Sequence, residues 1–385
     1  MPPDRAAPPW VQLSPEAAHA LAQRHGTPFY FYDLEVLRAR ARRAKQALPA
    51  SLLYAMKANP HEQLLRGLVG AVDGLDVSSL GEVERALRCG WSGSQLSFAG
   101  PGKTPHELAQ AVAHGVLVSV ESVRELDALG ALGKPARVRL RLNPSVRAQA
   151  YRVPMMGGPS PFGIDAEELP VAVERLRSQP RLELDGVHVH PGAQCTSVGG
   201  FAAAVAATLD LVERLGVPVG CVNFGGGFGV LPPDEELDVE AAGKRLGSML
   251  EKFRAATGRP LEAVVEPGRW LVAPAGLYVA RVVSEKRSRG THFTVLDGGL
   301  NHHLGATGHL APRLPLVNLS RPDAPKVTRT VVGPLCTPLD TLGVDVELAE
   351  PRVGALVGVL GSGAYGYSFS PLHFLGHPLP EEVVG

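Results

Sequence analysis

Cysteine is scarce in this sequence, and the four cysteines that occur lie far apart. They are Cys89, Cys195, Cys221 and Cys336, and no two of them form a CxxC pair. This spacing argues against a disulfide framework and against a zinc knuckle, because both need several cysteines at short intervals. The distribution fits a reducing cytoplasm, which is the location we expect for the protein.

The sequence also lacks an excess of charge and a long hydrophobic run. Lysine plus arginine and aspartate plus glutamate number 38 each, so no basic field exists to attract nucleic acid or anionic lipid. No run of about 18 apolar residues occurs, and the start, MPPDRAAPPW, has no apolar stretch after its charge. We therefore expect no nucleic-acid or membrane partner, and a substrate that is small or carried by a protein.

What the sequence does have is a regular alternation of short apolar runs with longer amphipathic ones. The apolar runs predict strands at 51–57, 72–79, 95–100, 115–121, 136–143, 183–190, 220–226 and 262–268. The amphipathic runs predict helices at 81–89, 104–114, 165–178, 199–215 and 238–256. This alternation implies parallel strands and predicts an α/β protein with a (β/α)8 TIM-type barrel. A doubly wound sheet is the alternative, but the glycine cluster 225–229 follows the seventh strand rather than the first.

The chain changes character after about residue 275, where strand-like runs follow one another without helices between them. We therefore predict a second, smaller domain of β-barrel-like type at the C-terminus. The segment FYFYD (29–33) precedes the barrel and could pair with those strands. The predicted boundaries are 34–275 for the barrel, and 10–33 plus 276–385 for the β domain.

A single lysine closes the first apolar run, in the stretch YAMKANP (54–60). Side chains that do chemistry in a (β/α)8 barrel lie at the carboxyl ends of its strands, and Lys57 is predicted to end the first strand. A solvated or salt-bridged lysine is one interpretation. The other is a Schiff-base lysine, because a desolvated amine on a flexible stem can react with a cofactor aldehyde.

Two histidines and an aspartate end other predicted strands. Asp76 ends the second strand, and His188 and His190 end the sixth, where residues two apart face the same way. A metal site at the histidines is conceivable, but no carboxylate or further histidine accompanies them at ligand spacing, and we expect no metal. One of them can be a satisfied core histidine, and His190 can stack on a flat cofactor.

The seventh and eighth predicted strands end in glycines and in a carboxylate. The segment NFGGGFG (223–229) precedes a predicted helix, so its backbone N–H groups could bind a phosphate, although a tight turn explains it equally well. Its place after the seventh strand favours a phosphate site. In EPGR (266–269), Glu266 could keep a pyridine nitrogen protonated, or it could pair with Arg269.

Seven motifs in order resemble the fold-type III pyridoxal-phosphate decarboxylases, the diaminopimelate, ornithine and arginine decarboxylase family. They are YAMKANP, DVSSLGE (76–82), HVHPGAQ (188–194), NFGGGFG, EPGR, GPLCTPLD (333–340) and GSGAYGYS (361–368). The resemblance runs from about Pro28 to Phe374. It implies a barrel with a β domain, a pyridoxal 5'-phosphate cofactor, α-decarboxylation, and a homodimer with shared active sites.

The resemblance also implies a role for individual residues. Lys57 resembles the Schiff-base lysine, His190 the histidine on the cofactor ring, and Glu266 the carboxylate at the pyridine nitrogen. Cys336 resembles a cysteine that reaches the site from the partner subunit and manages the proton at Cα. The remaining implied cofactor-binding residues are Asp76, Gly225, Gly226, Gly227, Gly268, Arg269 and Tyr365. Alanine racemases share this architecture, but the resemblance implies an arginine rather than a glutamate at the ring nitrogen in them. Glutamate at residue 266 therefore argues for decarboxylation.

Two departures from the family concern the distal end of the substrate. Thr337 follows Cys336 where diamine-type members have an acid, and no Asp or Glu occurs from Gly298 to Pro322. An unpaired buried ammonium costs several kcal/mol, so we expect a substrate without a free distal amine. The DGGLNHHLGATGH segment (297–309) resembles the branch with exosortase-associated decarboxylases and the butirosin-pathway enzyme, which acts on glutamate attached to an acyl carrier protein.

Two other functions stay open. The overall motif order also fits a diaminopimelate decarboxylase, and a non-catalytic cofactor-binding homologue is the third hypothesis. Three histidines in the departing segment, His302, His303 and His309, could contact a substrate, but surface histidines in a loop are the favoured interpretation. The arginines in VRLRLN (138–143) are expected to pair with neighbouring acids rather than with a substrate.

Overall fold

The computed structural model describes residues 10–231, 235–310 and 312–385. The chain divides into two compact units. One comprises the chain up to Arg40 and Leu271–Gly385, with a short piece that begins at Leu231, and the other comprises Ala41–Val230 and Glu235–Trp270. The domain boundaries predicted from the sequence stay a prediction. Among the described residues, no helix combines the length and the apolar character that a membrane span requires.

The second unit is a closed barrel of parallel strands, so the predicted (β/α)8 architecture is confirmed. The barrel strands, in chain order, are Ser51–Ala55, Gly74–Val77, Leu96–Phe98, Leu117–Val120, Ala136–Asn143, Leu182–His188, Cys221–Asn223 and Glu262–Val265. Each pairs with the next, and the eighth pairs with the first through Val264 and Ser51. Because the sheet closes on itself, the doubly wound alternative is wrong.

Helices connect the barrel strands. They are Glu62–Gly67, Leu80–Arg88, Pro105–Ala113, Val123–Ala131, Leu169–Arg177, Val198–Arg214 and Val239–Thr257, with Leu34–Ala47 before the first strand and Arg269–Val272 after the eighth. Local chemistry determines where several of them begin. In one helix the Thr104 side chain accepts from the Glu107 backbone N–H, and the Glu107 carboxylate accepts from the Thr104 N–H at 2.9 Å. This capping box satisfies two amide groups that the helix leaves without partners.

Several strands end earlier than the apolar runs predict. Lys57 lies in a one-turn 3-10 helix, Met56–Ala58, rather than at the end of the first strand. The chain turns there because the Asn59 N–H donates to the Met56 carbonyl at 3.1 Å, and Pro60 follows at once. His190 likewise lies two residues beyond the sixth strand. Both residues therefore lie in the connections that follow their strands, at the carboxyl end of the barrel.

The first unit is built around a mostly antiparallel sheet, which confirms the predicted second β domain. Its strands are Phe29–Tyr32, Gly276–Ser288, Thr291–Leu296, Leu316–Asn318, Lys326–Val332, Thr341–Ala349, Leu356–Leu360 and Glu381–Val384. Phe29–Tyr32 pairs antiparallel with Gly276–Ser288 and parallel with Glu381–Val384, so the FYFY segment joins this sheet. Phe29, Leu277 and Leu356 are buried with Ala18 of the helix Pro15–His25.

Candidate active site

The lysine that follows the first barrel strand is paired with a buried carboxylate. Lys57 Nζ lies 3.3 Å from Asp76 Oδ2, and the lysine side chain is 42% exposed whereas that of Asp76 is 1% exposed. Burial, with help from the negative charge of Glu266, raises the pKa of the Asp76 carboxyl to about 7. The other oxygen, Asp76 Oδ1, is buried and has no hydrogen-bond partner among the described residues.

A second buried carboxylate lies between the two histidines. Glu266 Oε1 is 3.1 Å from His188 Nε2 and 3.4 Å from His190 Nδ1. No carboxylate stands at ligand spacing from these histidines in the sequence, but the fold brings Glu266 beside them, because Glu266 follows the eighth strand, 78 residues from His188 in sequence. One atom from each of the three side chains lies within 4.8 Å of the other two. The prediction that the chain binds no metal stays a prediction.

Burial and hydrogen bonding determine the charges in this cluster. Burial lowers the pKa of both imidazoles, to about 4 for His190, so both rings are neutral near pH 7. Burial alone would raise the pKa of the Glu266 carboxyl, but its contacts with His188 and His190 outweigh that effect and hold the pKa well below its usual range. Glu266 is therefore an ionised acceptor between neutral rings.

Two residues that the sequence analysis did not identify support this carboxylate. Asn223 Nδ2 donates to Glu266 Oε2 at 2.8 Å, and Asn223 Oδ1 accepts from the Gly225 N–H at 2.9 Å. Ser119 Oγ lies 2.9 Å from His188 Nδ1. Asn223 is the last residue of its strand and lies two residues before Gly225, so its place beside the glycine cluster could have indicated a role. Ser119 lies inside an apolar strand, where nothing in the sequence distinguishes it.

The glycine cluster passes close to the carbonyl oxygens of its neighbours. Gly225 and Gly227 have φ angles of 73° and 77°, which strongly favour glycine. A Cβ at Gly226 would clash with the Glu266 carbonyl oxygen, so glycine is needed there for space. The helix predicted to follow begins only at Val239. Any phosphate contact from this cluster therefore depends on its own N–H groups, not on a helix N-terminus.

The phosphate residues implied by EPGR lie just beyond the eighth strand. Gly268 packs against the first strand, because a Cβ at this position would lie 3.0 Å from the Ala55 carbonyl oxygen. Arg269 is the first residue of the four-residue helix Arg269–Val272. The arginines of the fifth strand pair with neighbouring acids, as expected. Arg139 Nε lies 2.7 Å from Asp185, and Arg141 Nη1 lies 2.7 Å from Glu121.

Two of the predicted site residues belong to the β domain. Cys336 is exposed, whereas Cys89, Cys195 and Cys221 are buried. Tyr365 has a φ of 53°, and its ring lies 6.0 Å from that of Phe369. Their catalytic and binding roles stay predictions.

A buried aspartate that the sequence analysis missed holds the loop of Cys336. Asp340 Oδ1 accepts from the Leu300 N–H at 2.6 Å, and Oδ2 accepts from the Leu335 N–H at 2.9 Å. The first of these donors belongs to the segment 297–309, and the second is the neighbour of Cys336. One carboxylate therefore connects the two segments in which this chain departs from the resembled family.

Two of the three histidines expected at the surface are buried. His302 and His303 are 1% and 0% exposed, so that expectation is wrong for both. His302 bonds to the Tyr278 hydroxyl at 3.2 Å and to the Pro378 carbonyl at 2.9 Å, and His303 Nε2 bonds to Ser362 Oγ at 3.0 Å. His309 is exposed, and its Nε2 lies 2.8 Å from the Leu339 carbonyl oxygen.

The donor set of the barrel fits pyridoxal phosphate. An amine, an ionised carboxylate, a neutral imidazole and a glycine segment with close backbone approach all occur at the carboxyl ends of the strands. They match the aldehyde, the pyridine nitrogen, the ring face and the phosphate of that cofactor. The buried Asp76 Oδ1 without a partner also indicates that this pocket holds a polar group.

Comparison with known proteins agrees with this fit. Residues 34–273 match the family described as pyridoxal-dependent decarboxylase, pyridoxal binding domain. The chain is 35% identical over 387 residues to an L-glutamyl-[BtrI acyl-carrier protein] decarboxylase from Niallia circulans, covering 95% of this chain and 90% of the relative. It is 33% identical over 383 residues to a diaminopimelate decarboxylase from Aquifex aeolicus, covering 94% and 88%.

Solved structures show the same architecture. Diaminopimelate decarboxylase from Helicobacter pylori, complexed with L-lysine, superimposes with a TM-score of 0.87 at 27% identity, covering 95% of this chain and 93% of that one. Lysine decarboxylase from Selenomonas ruminantium superimposes with a TM-score of 0.85 at 25% identity, covering 97% of each chain. Pyridoxal phosphate is the cofactor, and the chain belongs to the pyridoxal-dependent decarboxylase family.

Proposed function

We propose that this protein removes the α-carboxylate of an amino acid that has no free distal ammonium. The first candidate is a glutamyl group carried by an acyl carrier protein. α-Decarboxylation requires a free α-amine and a free α-carboxylate, so such a substrate must be attached through its side-chain carboxylate. That attachment is neutral, and the distal end of the substrate then carries no charge for the enzyme to pair.

The observation that carries this proposal is how few acids residues 298–340 of the β domain contain. Between residues 298 and 340 the sequence has two acids, Asp323 and Asp340. Asp323 lies exposed in a turn, and both carboxylate oxygens of Asp340 already accept backbone N–H groups. Thr337 Oγ1 accepts from the Leu339 N–H at 3.3 Å, within its own loop. A distal ammonium of a substrate beside residues 298–340 would lack a carboxylate partner, and the cost of its desolvation would oppose binding.

The proposed roles follow the chemistry of each side chain. When bound, pyridoxal phosphate supplies an electron sink for the carbanion left by loss of CO2. Lys57 would hold the cofactor through its amine, which a substrate amine could replace. Glu266 would keep the pyridine nitrogen protonated, and His190 would pack on the ring. The phosphate contacts are proposed for Gly225, Gly226, Gly227, Gly268, Arg269 and Tyr365, and Asp76 orients Lys57.

We further propose a homodimer in which the partner's Cys336 delivers the proton to Cα. Cys336 is exposed, as a residue that serves another chain must be. The β domain also exposes four large apolar side chains within a short segment: Phe369, Phe374, Leu375 and Leu379. An exposed apolar group of this kind is typical of a surface that another chain covers.

Diaminopimelate decarboxylase is the second candidate function. Relatives with that activity are 31–35% identical to this chain, so overall identity does not separate the two substrates. The missing acid at residue 337 and the occupied Asp340 carboxylate are what favour the carrier-bound substrate.

The deciding experiment measures CO2 release by the holoenzyme from diaminopimelate, lysine, ornithine and glutamate. Glutamate is offered both free and attached to an acyl carrier protein. We expect turnover of the carrier-bound glutamyl group and little turnover of the free diamino acids. Rapid turnover of free diaminopimelate would show that the argument from the missing acids is wrong and that the second candidate is correct.

A separate experiment tests the hypothesis that the protein is a non-catalytic homologue. Replacing Lys57 by alanine should abolish CO2 release while leaving the fold intact, because Lys57 contributes chemistry rather than packing. Lys45→Ala is the matched control, since Lys45 is about as exposed as Lys57 and also pairs with an aspartate, Asp73 at 2.7 Å, whose side chain is exposed rather than buried. Lack of activity in the wild type with every substrate would favour a cofactor-binding regulatory protein.

A further inference from the structure

A buried serine bonds to the histidine that supports Glu266. Ser119 lies in the fourth barrel strand, Leu117–Val120, and is 0% exposed. Its Oγ is 2.9 Å from His188 Nδ1, and His188 Nε2 is 3.1 Å from Glu266 Oε1. Three side chains from three different barrel segments thus form one line of hydrogen bonds that ends at the carboxylate.

The carboxylate at the end of this row of hydrogen bonds determines which ring nitrogen of His188 carries the hydrogen. An ionised carboxylate can only accept, so His188 Nε2 must carry the hydrogen that points to Glu266. A neutral imidazole has one N–H, and Nδ1 is then an acceptor. The Ser119 hydroxyl is the donor that fits Nδ1, and it opposes the other tautomer, in which Nε2 would face Glu266 without a hydrogen.

We propose that Ser119 is a positioning residue that acts through His188 to hold the Glu266 carboxylate ready for the pyridine nitrogen of the cofactor. This inference rests on the proposed function, in which Glu266 keeps that nitrogen protonated. Asn223 donates to the other oxygen, Oε2, at 2.8 Å, so both oxygens have a support from the protein. Loss of Ser119 would leave His188 free to adopt the wrong tautomer or to rotate.

The neighbouring strand contains a matched control. Ser97, in Leu96–Phe98, is 2% exposed, and its Oγ has no hydrogen-bond partner among the described residues. Ser97→Ala and Ser119→Ala remove the same oxygen from equally buried sites on adjacent strands. Packing effects of the two substitutions should be alike, and only the second breaks the contact with His188.

The test measures the dissociation constant of pyridoxal phosphate, the visible absorbance of the bound cofactor, and CO2 release, all on the holoenzyme. Ser119→Ala should raise the dissociation constant by about 3- to 10-fold, the effect of one lost hydrogen bond, and shift the absorbance. It should lower kcat with little change in KM. Ser97→Ala should change each quantity by less than about 2-fold.

A double variant tests whether Ser119 acts through the histidine. In a His188→Phe background, Ser119→Ala should have almost no further effect, because the residue it acts on is gone. Equal effects of Ser119→Ala and Ser97→Ala, or an undiminished effect of Ser119→Ala in the His188→Phe background, would overturn the proposal. If His188→Phe does not fold, the comparison of the two serine variants decides alone.

The outcomes separate this inference from the proposed function. Lack of CO2 release by the wild-type holoenzyme with every amino acid would refute the proposed function. The cofactor affinity and the absorbance would still report on Ser119 in that case. An active wild type with an unchanged Ser119→Ala variant would refute the positioning role alone.

Discussion

The barrel and the β domain both bury histidines, but the groups around those histidines differ. In the barrel, His188 and His190 lie beside the ionised carboxylate of Glu266. In the β domain, His302 and His303 bond to a tyrosine hydroxyl, a backbone carbonyl and a serine hydroxyl. Buried charge is costly and clusters at functional sites, whereas neutral hydrogen bonds are common throughout a fold. Burial alone therefore does not distinguish the two pairs of histidines, but their hydrogen-bond partners do.

The largest expected effect tests the charged side of this comparison. Glu266→Gln keeps the size of the side chain and removes its charge, so the fold should survive while kcat falls by about 10²- to 10³-fold. Steady-state CO2 release and circular dichroism measure the two quantities. Glu262→Gln is the control, because Glu262 begins the strand that Glu266 follows and is exposed. Equal losses in the two variants would contradict a special role for Glu266.

The second prediction concerns the β domain, where the same type of change should affect stability instead. Asp340→Asn would turn an amide N–H toward a backbone N–H of Leu300 or Leu335, so the free energy of unfolding should fall by about 2–4 kcal/mol. Urea denaturation of the holoenzyme measures it, with the exposed Asp323→Asn as the control. The rate of Cys336 alkylation should also change, because Leu335 is its neighbour. Unchanged stability would show that the two backbone contacts contribute little.

The third prediction follows from the pKa of His302, which burial lowers to about 4. An exposed histidine in the unfolded chain titrates near 6.5, so between pH 6.5 and 4 the unfolded state binds more protons. Stability should therefore fall as the pH falls through that window, by up to about 3 kcal/mol for this residue. His302→Gln should flatten the dependence of the thermal midpoint on pH between 4 and 6.5. An unchanged slope would contradict the assignment.

The fourth prediction has the opposite sign and concerns Asp76, whose pKa burial raises to about 7. Between pH 3.8 and 7 the folded state binds more protons at this carboxyl than the unfolded state, so its contribution to stability falls as the pH rises. Asp76→Asn should remove that loss, and the thermal midpoint of the variant should decline less than that of the wild type between pH 4 and 7. A steeper decline in the variant would contradict the sign.

Strand and helix order was predictable from the sequence because it depends on periodicity within short windows. The eight apolar runs became the eight barrel strands, and the run of strands after residue 275 became the β sheet. Strand ends were less predictable. Lys57 and His190 lie beyond their strands because turn hydrogen bonds, such as that from Asn59 to Met56, compete with continued pairing.

The sequence by itself determined the residue types at the carboxyl ends of the strands, among them Lys57, Asp76, His190 and Glu266. Their position in the barrel follows from local alternation of strands and helices. Only the tertiary structure decided which of them meet, because residues 78 apart, such as His188 and Glu266, become neighbours through closure of the sheet. For the same reason Ser119 and Asp340 could not be found beforehand, since what distinguishes each of them is a contact with a distant segment.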